Sequence, residues 1–203
     1  MAASGQIDGR DRALRALPAT FTYSEARRAG VSERQLYRLR DEGAVEAVSR
    51  GLYRRTDAAL LVDFDLLSIA RRAPWATLCL TSALARHGLT DEIPASIDVA
   101  LPRGSHRPVV PAPVTWHLFA VSTFHIGREI VPLDEITSIG MYDPPRCIID
   151  AARLRHREGP ELVYVALRRW LARPGSTPSV LLMMARRFPR TERVLRDALE
   201  ILL

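Results

Sequence analysis

Residues 20–55 constrain the fold more than any other stretch of this chain. Ser24 suits a helix N-cap because its side-chain oxygen can accept from the free amides of a first turn, and Glu25 suits the positive end of the dipole. Gly30 sits where a helix ends in a left-handed conformation. Val31 then points inward across a turn. Ser32-Glu33-Arg34-Gln35 is a capping box, S-x-x-Q, which opens a second helix. Only Gly30 to Ser32 separate the two helices, the connection that a helix-turn-helix requires. Leu36 and Leu39, three apart, mark the buried side of the second helix.

The opposite face of that helix carries Arg34, Tyr37, Arg38 and Asp41, with Gln35 on the flank near Ser32. Arginine forks onto guanine O6 and N7, glutamine onto adenine, and both can hold phosphate. The amino-terminal part of a recognition helix is where such residues belong. Gly43 stops the helix. Ala44 to Val48 then read as a short strand, Ser49-Arg50-Gly51 as a turn and Leu52 to Arg55 as a return strand. A hairpin directly after a recognition helix is a wing. Its tip residue Arg50 can meet a minor groove or a phosphate, and Arg54 is a second candidate contact. The unit reads as a winged helix-turn-helix, with Ser32, Arg34, Gln35, Tyr37, Arg38, Arg50 and Arg54 as its DNA-binding candidates. An ordinary solvated amphipathic helix is the competing reading of the same outer face, and the hairpin after it weighs against that.

Charge follows the same division. The chain contains no lysine, so all 29 basic residues are arginine. Residues 1–55 carry eleven arginines against seven acids, a net of +4. Residues 56–142 carry a net of −3 and residues 143–203 a net of +5. Basic ends around a mildly acidic middle, with a pI near 10.1, suit a polyanionic partner.

Past the winged unit the pattern changes. An apolar helix is expected over 62–72, and a strand or buried turn followed by a helix over 76–89. Strands are expected over Ser96–Leu101, Val114–Phe119, Thr123–Val131 and Ile136–Tyr142, and helices over 145–154, 160–172, 178–187 and 190–203. A leading helix over 7–17 precedes the whole. Thr177-Pro178 is a cap with proline at the first helical position. These elements define an α+β chain in two domains: residues 1–58, which bind DNA, and residues 59–203, strand-rich over 96–142 and helical over 145–203. Arg168, Arg169, Arg173, Arg186, Arg187 and Arg190 form a second basic set, readable as solvated helix charge, as a second DNA contact, or as a platform for an acidic protein face.

Enzymatic readings find little support. Gly104-Ser105 has no aspartate after it until Asp134, so a nucleotidyltransferase's Gly-Ser loop with paired magnesium aspartates is missing. The histidines at 87, 106, 117, 125 and 156 have no ligand spacing, and Ser82 lacks a Gly-x-Ser-x-Gly frame. Cys79 and Cys147 are too distant in sequence to form a metal knuckle and read as buried thiols. No metal, cofactor or catalytic residue is expected. There is no apolar run of membrane-spanning length and no signal-peptide core at the start, which makes the cytoplasm the expected location.

Four segments together resemble a known family. They are Phe21-Thr22 through Ala29-Gly30-Val31-Ser32 to Arg50-Gly51-Leu52-Tyr53; Leu80-Thr81-Ser82-Ala83-Leu84-Ala85-Arg86-His87-Gly88-Leu89; Ile97 to Arg103; and Tyr142-Asp143-Pro144-Pro145-Arg146-Cys147-Ile148-Ile149-Asp150. In order and spacing they are similar to the AbiEi-type antitoxins of bacterial toxin–antitoxin systems, including mycobacterial relatives. The resemblance implies a protein that represses its own operon through promoter DNA, expected to contain inverted repeats. It also implies one that counteracts a nucleotidyltransferase-like toxin, directly or functionally. A stand-alone winged-helix regulator without antitoxin activity is the alternative.

Overall fold

A computed structural model describes residues 13–49, 51–57 and 63–203. These divide into two compact units. One holds the described residues up to Arg71 together with Pro132–Ser138, and the other holds Arg72–Val131 with Ile139–Leu203. The junction expected at 58–59 lies outside the described residues. The apolar helix expected to open the second domain groups with the first unit as far as Arg71.

The first unit is built on two short helices and a small sheet. Strand β1 (Thr20–Thr22) runs straight into helix α1 (Tyr23–Arg28), and α2 (Glu33–Asp41) follows. Strands β2 (Val45–Ser49) and β3 (Leu52–Arg55) form an antiparallel hairpin. The first helix is capped by Thr22 rather than Ser24. Thr22 ends an extended strand, which already supplies the backbone angles of a cap, and its hydroxyl accepts from the Glu25 amide while the Glu25 carboxylate accepts from the Thr22 amide. Gly30 has φ +82°, the left-handed turn expected of it. The Ser32–Gln35 box forms as read.

Strand β1 has no counterpart among the expected elements. It pairs antiparallel with β3, opposing Phe21 to Tyr53, so the hairpin becomes a three-stranded sheet of order β1-β3-β2. The two rings stack at 5.9 Å. Leu17, Phe21, Ala26, Val31, Leu36, Leu39, Ala44 and Val45 form the core beneath. Helices of six and nine residues are too short to persist alone, so this burial holds them. Helix α3 (Phe64–Arg72) buries Leu66, Leu67, Ile69 and Ala70. Near its end Arg71 donates to the Thr20 carbonyl (2.9 Å) and to the Glu25 carboxylate (2.5 Å).

The second unit carries a mixed five-stranded sheet of order β6-β5-β4-β8-β7. Its strands are β4 (Thr77–Leu78), β5 (Ile97–Pro102), β6 (Val114–Phe119), β7 (Arg128–Pro132) and β8 (Ser138–Tyr142). Strand β4 pairs antiparallel with β5 and parallel with β8, and β5 pairs parallel with β6. Helix α4 (Leu80–Arg86) follows β4, and the chain after Asp143 is helical: α6 (Pro144–Glu158), α7 (Glu161–Leu171), α8 (Pro178–Ala185) and α9 (Thr191–Leu202). The strand expected over Thr123–Val131 is divided. Val121–Phe124 is a helical turn, α5, and extended structure resumes only at Arg128. The β-branched and aromatic run resembles a strand, but Phe124 is wholly buried and Gly127, at φ +68°, redirects the backbone between the two pieces. Thr177 precedes α8 as expected, yet its side chain makes no cap bond and donates to the Gly175 carbonyl instead.

Helix α6 is the axis of this unit, packed against α4, α7, α8 and α9. Asp143 caps it by accepting from the Arg146 amide. One turn in, Arg146 and Asp150 form an ion pair with both side chains wholly buried. The Arg146 guanidinium donates to Asp150 Oδ2 (2.8 Å) and to the carbonyls of Thr123 (2.7 Å) and Ile126 (2.6 Å), and lies over the Tyr142 ring at 4.0 Å. Arg153 donates to the other Asp150 oxygen at 2.6 Å. Cys79 and Cys147 are free and buried, and burial raises both thiols well above their usual values, leaving inert apolar groups. His117 is buried and bonded to Asp98 at 2.9 Å, and the His87 ring donates to the Tyr142 carbonyl at 2.8 Å.

Candidate nucleic-acid interface

Helix α2 owes its position to its buried stripe. Leu36 and Leu39 are each 1% exposed, which turns Arg34, Tyr37 and Arg38 outward. Val31, at 2%, pins the turn before it. The three outward residues share one open concavity of about 1310 Å³ with Tyr23, Arg27 and Glu33. Arg34 has no ion-pair partner among the described residues. Arg38 is 43% exposed and meets Glu42 only loosely, at 3.9 Å. Exposed pairs of that length are worth little, so both cations are available to a ligand. Arg40 lies over the Tyr37 ring at 5.0 Å and binds Asp41, which steadies the ring without covering it.

The expected contact residues are not equally placed. Ser32 and Gln35 flank the concavity but are engaged with one another. The Gln35 oxygen accepts from the Ser32 amide (2.8 Å) and hydroxyl (2.7 Å), leaving its amide nitrogen for other partners. Arg54 departs from expectation. It sits opposite Glu46 in the hairpin register and forms an ion pair with it, lies over Phe64 at 4.5 Å, and is 15% exposed. A guanidinium held on both faces is withdrawn from solvent, so Arg54 reads as a strut of the sheet. Arg50 lies outside the described residues.

Tyr23, Arg27, Glu33 and Glu42 also line the concavity and are not among the expected contacts. Tyr23 and Arg27 stand four apart on α1, a spacing that puts them on one face and could have been noticed. In sequence, Glu33 reads only as an inner position of the Ser32–Gln35 capping box. Its carboxylate accepts from the Tyr23 hydroxyl at 3.2 Å and acts electrostatically on the Tyr37 phenol. The Glu33 carboxylate pushes the Tyr37 phenol up, and Tyr23 is raised by burial and by the same carboxylate, so both stay protonated.

The second basic set does not form one free surface. Arg169 is bidentate to Asp91, Arg173 donates to the His87 carbonyl, and Arg186 pairs with Glu192 at 3.3 Å. Arg168, Arg187 and Arg190 are exposed. Arginine's fixed fork suits such pairing within the chain as well as it suits an external anion, and here half the set is paired within the chain.

Two closely joined helices, with a cationic and aromatic outer face on the second, define a helix-turn-helix unit. Residues 13–56 match a family model described as a transcriptional regulator, AbiEi antitoxin, so the resemblance seen in the sequence holds over that unit. No curated protein matches the chain. Among solved structures, the RV2827C protein from Mycobacterium tuberculosis is similar in fold, with a TM-score of 0.55 and 18% identity over 95% of this chain and 79% of that one. At that identity the likeness concerns the fold, a mixture of helices and sheets. Among the described residues no cluster of His, Cys, Asp or Glu could hold a metal ion, and no helix is long and apolar enough to cross a membrane.

Proposed function

We propose that the first unit is a winged helix-turn-helix that places α2 in the major groove of promoter DNA, with the β2–β3 hairpin as the wing. On this reading the chain is an antitoxin that represses its own operon and counteracts a nucleotidyltransferase-like toxin in the cytoplasm. The exposed face of Arg34, Tyr37 and Arg38 carries the proposal, because the buried leucines leave that face alone to meet a ligand. Arg34 and Arg38 are the base-reading candidates. Arg27, one helix earlier in the same concavity, would hold a phosphate and set the register. The operator is expected to hold inverted repeats. Residues 1–58 would carry repression and residues 59–203 protection from the toxin.

Arg34→Ala and Arg38→Ala should each weaken operator binding by about 1–3 kcal/mol if the contact is to a base. Arg54→Ala should leave sequence preference unchanged, since that side chain is engaged with Glu46 and Phe64. A gel-shift titration at fixed salt measures both, and unchanged affinity in the two α2 variants would remove this helix from the interface. A stand-alone regulator is the second reading, favoured by a family match confined to residues 13–56. The double variant Arg34→Ala/Arg38→Ala separates the two. It should lose repression yet still rescue cells from the cognate toxin. A soluble, expressed double variant that fails to rescue would refute a separate protective domain.

A further inference from the structure

Glu33 is out of place on a surface meant for a polyanion. It stands beside Arg34 in the concavity, and the paired arginines of α2 take other acids: Arg38 meets Glu42 and Arg40 meets Asp41. The Tyr23 hydroxyl of α1 donates to Glu33 at 3.2 Å, and the carboxylate acts electrostatically on the Tyr37 phenol one turn further along α2. Neither phenol neutralises it. The Tyr23 bond fixes its direction, while a carboxylate with about four lone-pair sites keeps acceptor capacity beyond it. The helix dipole favours an acid at this first turn. With no ion-pair partner among the described residues, the oriented carboxylate still repels a phosphate beside it, and a donor on a base edge offsets that.

We infer that Glu33 is a specificity-determining residue of this interface, its carboxylate accepting from an exocyclic base amino group in the major groove, cytosine N4 or adenine N6. The inference rests on the DNA-binding reading of α2. A duplex presenting the amine at that place gains a charge-assisted hydrogen bond, and one lacking it meets an unrelieved negative charge. Tyr23 is a positioning residue for the carboxylate. The arginines supply attraction and Glu33 supplies rejection, the repulsive element that discrimination between similar partners needs.

The test removes single amino groups from an operator selected by the wild-type protein from random-sequence duplexes. Each cytosine is replaced in turn by 2-pyrimidinone and each adenine by purine, and affinities are measured at fixed salt. Wild type should lose about 5- to 150-fold at one position, the range of a base-specific contact. Glu33→Ala should be indifferent to the amine there while responding as wild type does elsewhere. Glu33→Gln, which keeps the shape and an acceptor for the Tyr23 hydroxyl, should bind random-sequence duplex more tightly than wild type does. The Ser32–Gln35 cap is intact in both variants, and circular dichroism checks their folding. The inference fails if no amine deletion depends on Glu33, or if both variants weaken equally on all sequences, as loss of a structural clamp would produce. Failure of the underlying reading looks different: wild type then selects no sequence, and Arg34→Ala/Arg38→Ala binds DNA as wild type does.

Discussion

Replacing Asp150 with alanine should cost the second unit about 3–5 kcal/mol, the penalty of stranding a buried charge. Asp150 and Arg146 are both wholly buried, and the carboxylate joins Arg146 at 2.8 Å and Arg153 at 2.6 Å. Arginine cannot shed its proton, so without Asp150 the Arg146 guanidinium remains charged with only the Thr123 and Ile126 carbonyls and three aromatic rings around it. Arg153→Ala should cost less, about 1.5–3 kcal/mol for a hydrogen bond to a charged group, because its own side chain is 25% exposed and Asp150 keeps its main partner. Arg146→Met with Asp150→Leu should recover part of the loss by replacing the pair with apolar volume. Recovery stays incomplete because two carbonyls lose their donor. All three tryptophans, Trp75, Trp116 and Trp170, lie in this unit, so their fluorescence during urea unfolding reports on it directly. With a slope of about 2 kcal/mol per molar, the Asp150→Ala midpoint should fall by about 1.5–2.5 M. A shift equivalent to less than 1 kcal/mol, or an Arg153→Ala variant as unstable as Asp150→Ala, would refute the view that Asp150 serves chiefly to compensate Arg146.

Gly127→Ala should destabilise the same unit by about 2–4 kcal/mol, since a Cβ there falls 2.7 Å from Arg146 Cβ and 2.8 Å from the Asp143 carboxylate, at φ +68°. Gly30→Ala, with nothing within 4 Å of its Cβ, should cost only the left-handed penalty of about 1–2 kcal/mol, and urea titrations of the two variants make the comparison. Glu25 is worked on by opposing influences. Partial burial pushes its carboxyl up, but bonds from Thr22 and Arg71 outweigh it and hold the group below its usual 4.5. The folded state therefore binds this proton less readily than the unfolded state, so the contribution is complete above pH 4.5 and fades as pH falls through the lower folded-state value. NMR intensities of the α1 amides between pH 5 and pH 2 should show that loss in wild type and not in Glu25→Gln, and identical profiles would exclude Glu25 as the acid-sensitive group.

Local chemistry made much of this protein legible. The Ser32–Gln35 cap, the turn at Gly30, the Leu36–Leu39 stripe and the succession of helices after Pro144 depend on partners three or four residues away, and a linear sequence displays those spacings directly. The outward arginines of α2 followed from the same periodicity. Tertiary packing decided the rest. Thr20–Thr22 is a strand because β3 offers it an edge some thirty residues later, and that strand moved the first helix cap from Ser24 to Thr22. The helical turn at Val121–Phe124 exists because Phe124 is buried, against the strand preference of its residues. Arg54 reads in sequence as a DNA contact, and Arg169 and Arg173 as members of a basic helical surface, whereas the fold sets Glu46, Asp91 and the His87 carbonyl beside them. Arg169 and Asp91 are 78 residues apart, and Arg173 and His87 are 86 apart. A guanidinium's role is set by which acceptor lies within about 3 Å of it. Across separations of that size, only the folded chain determines which acceptor that is.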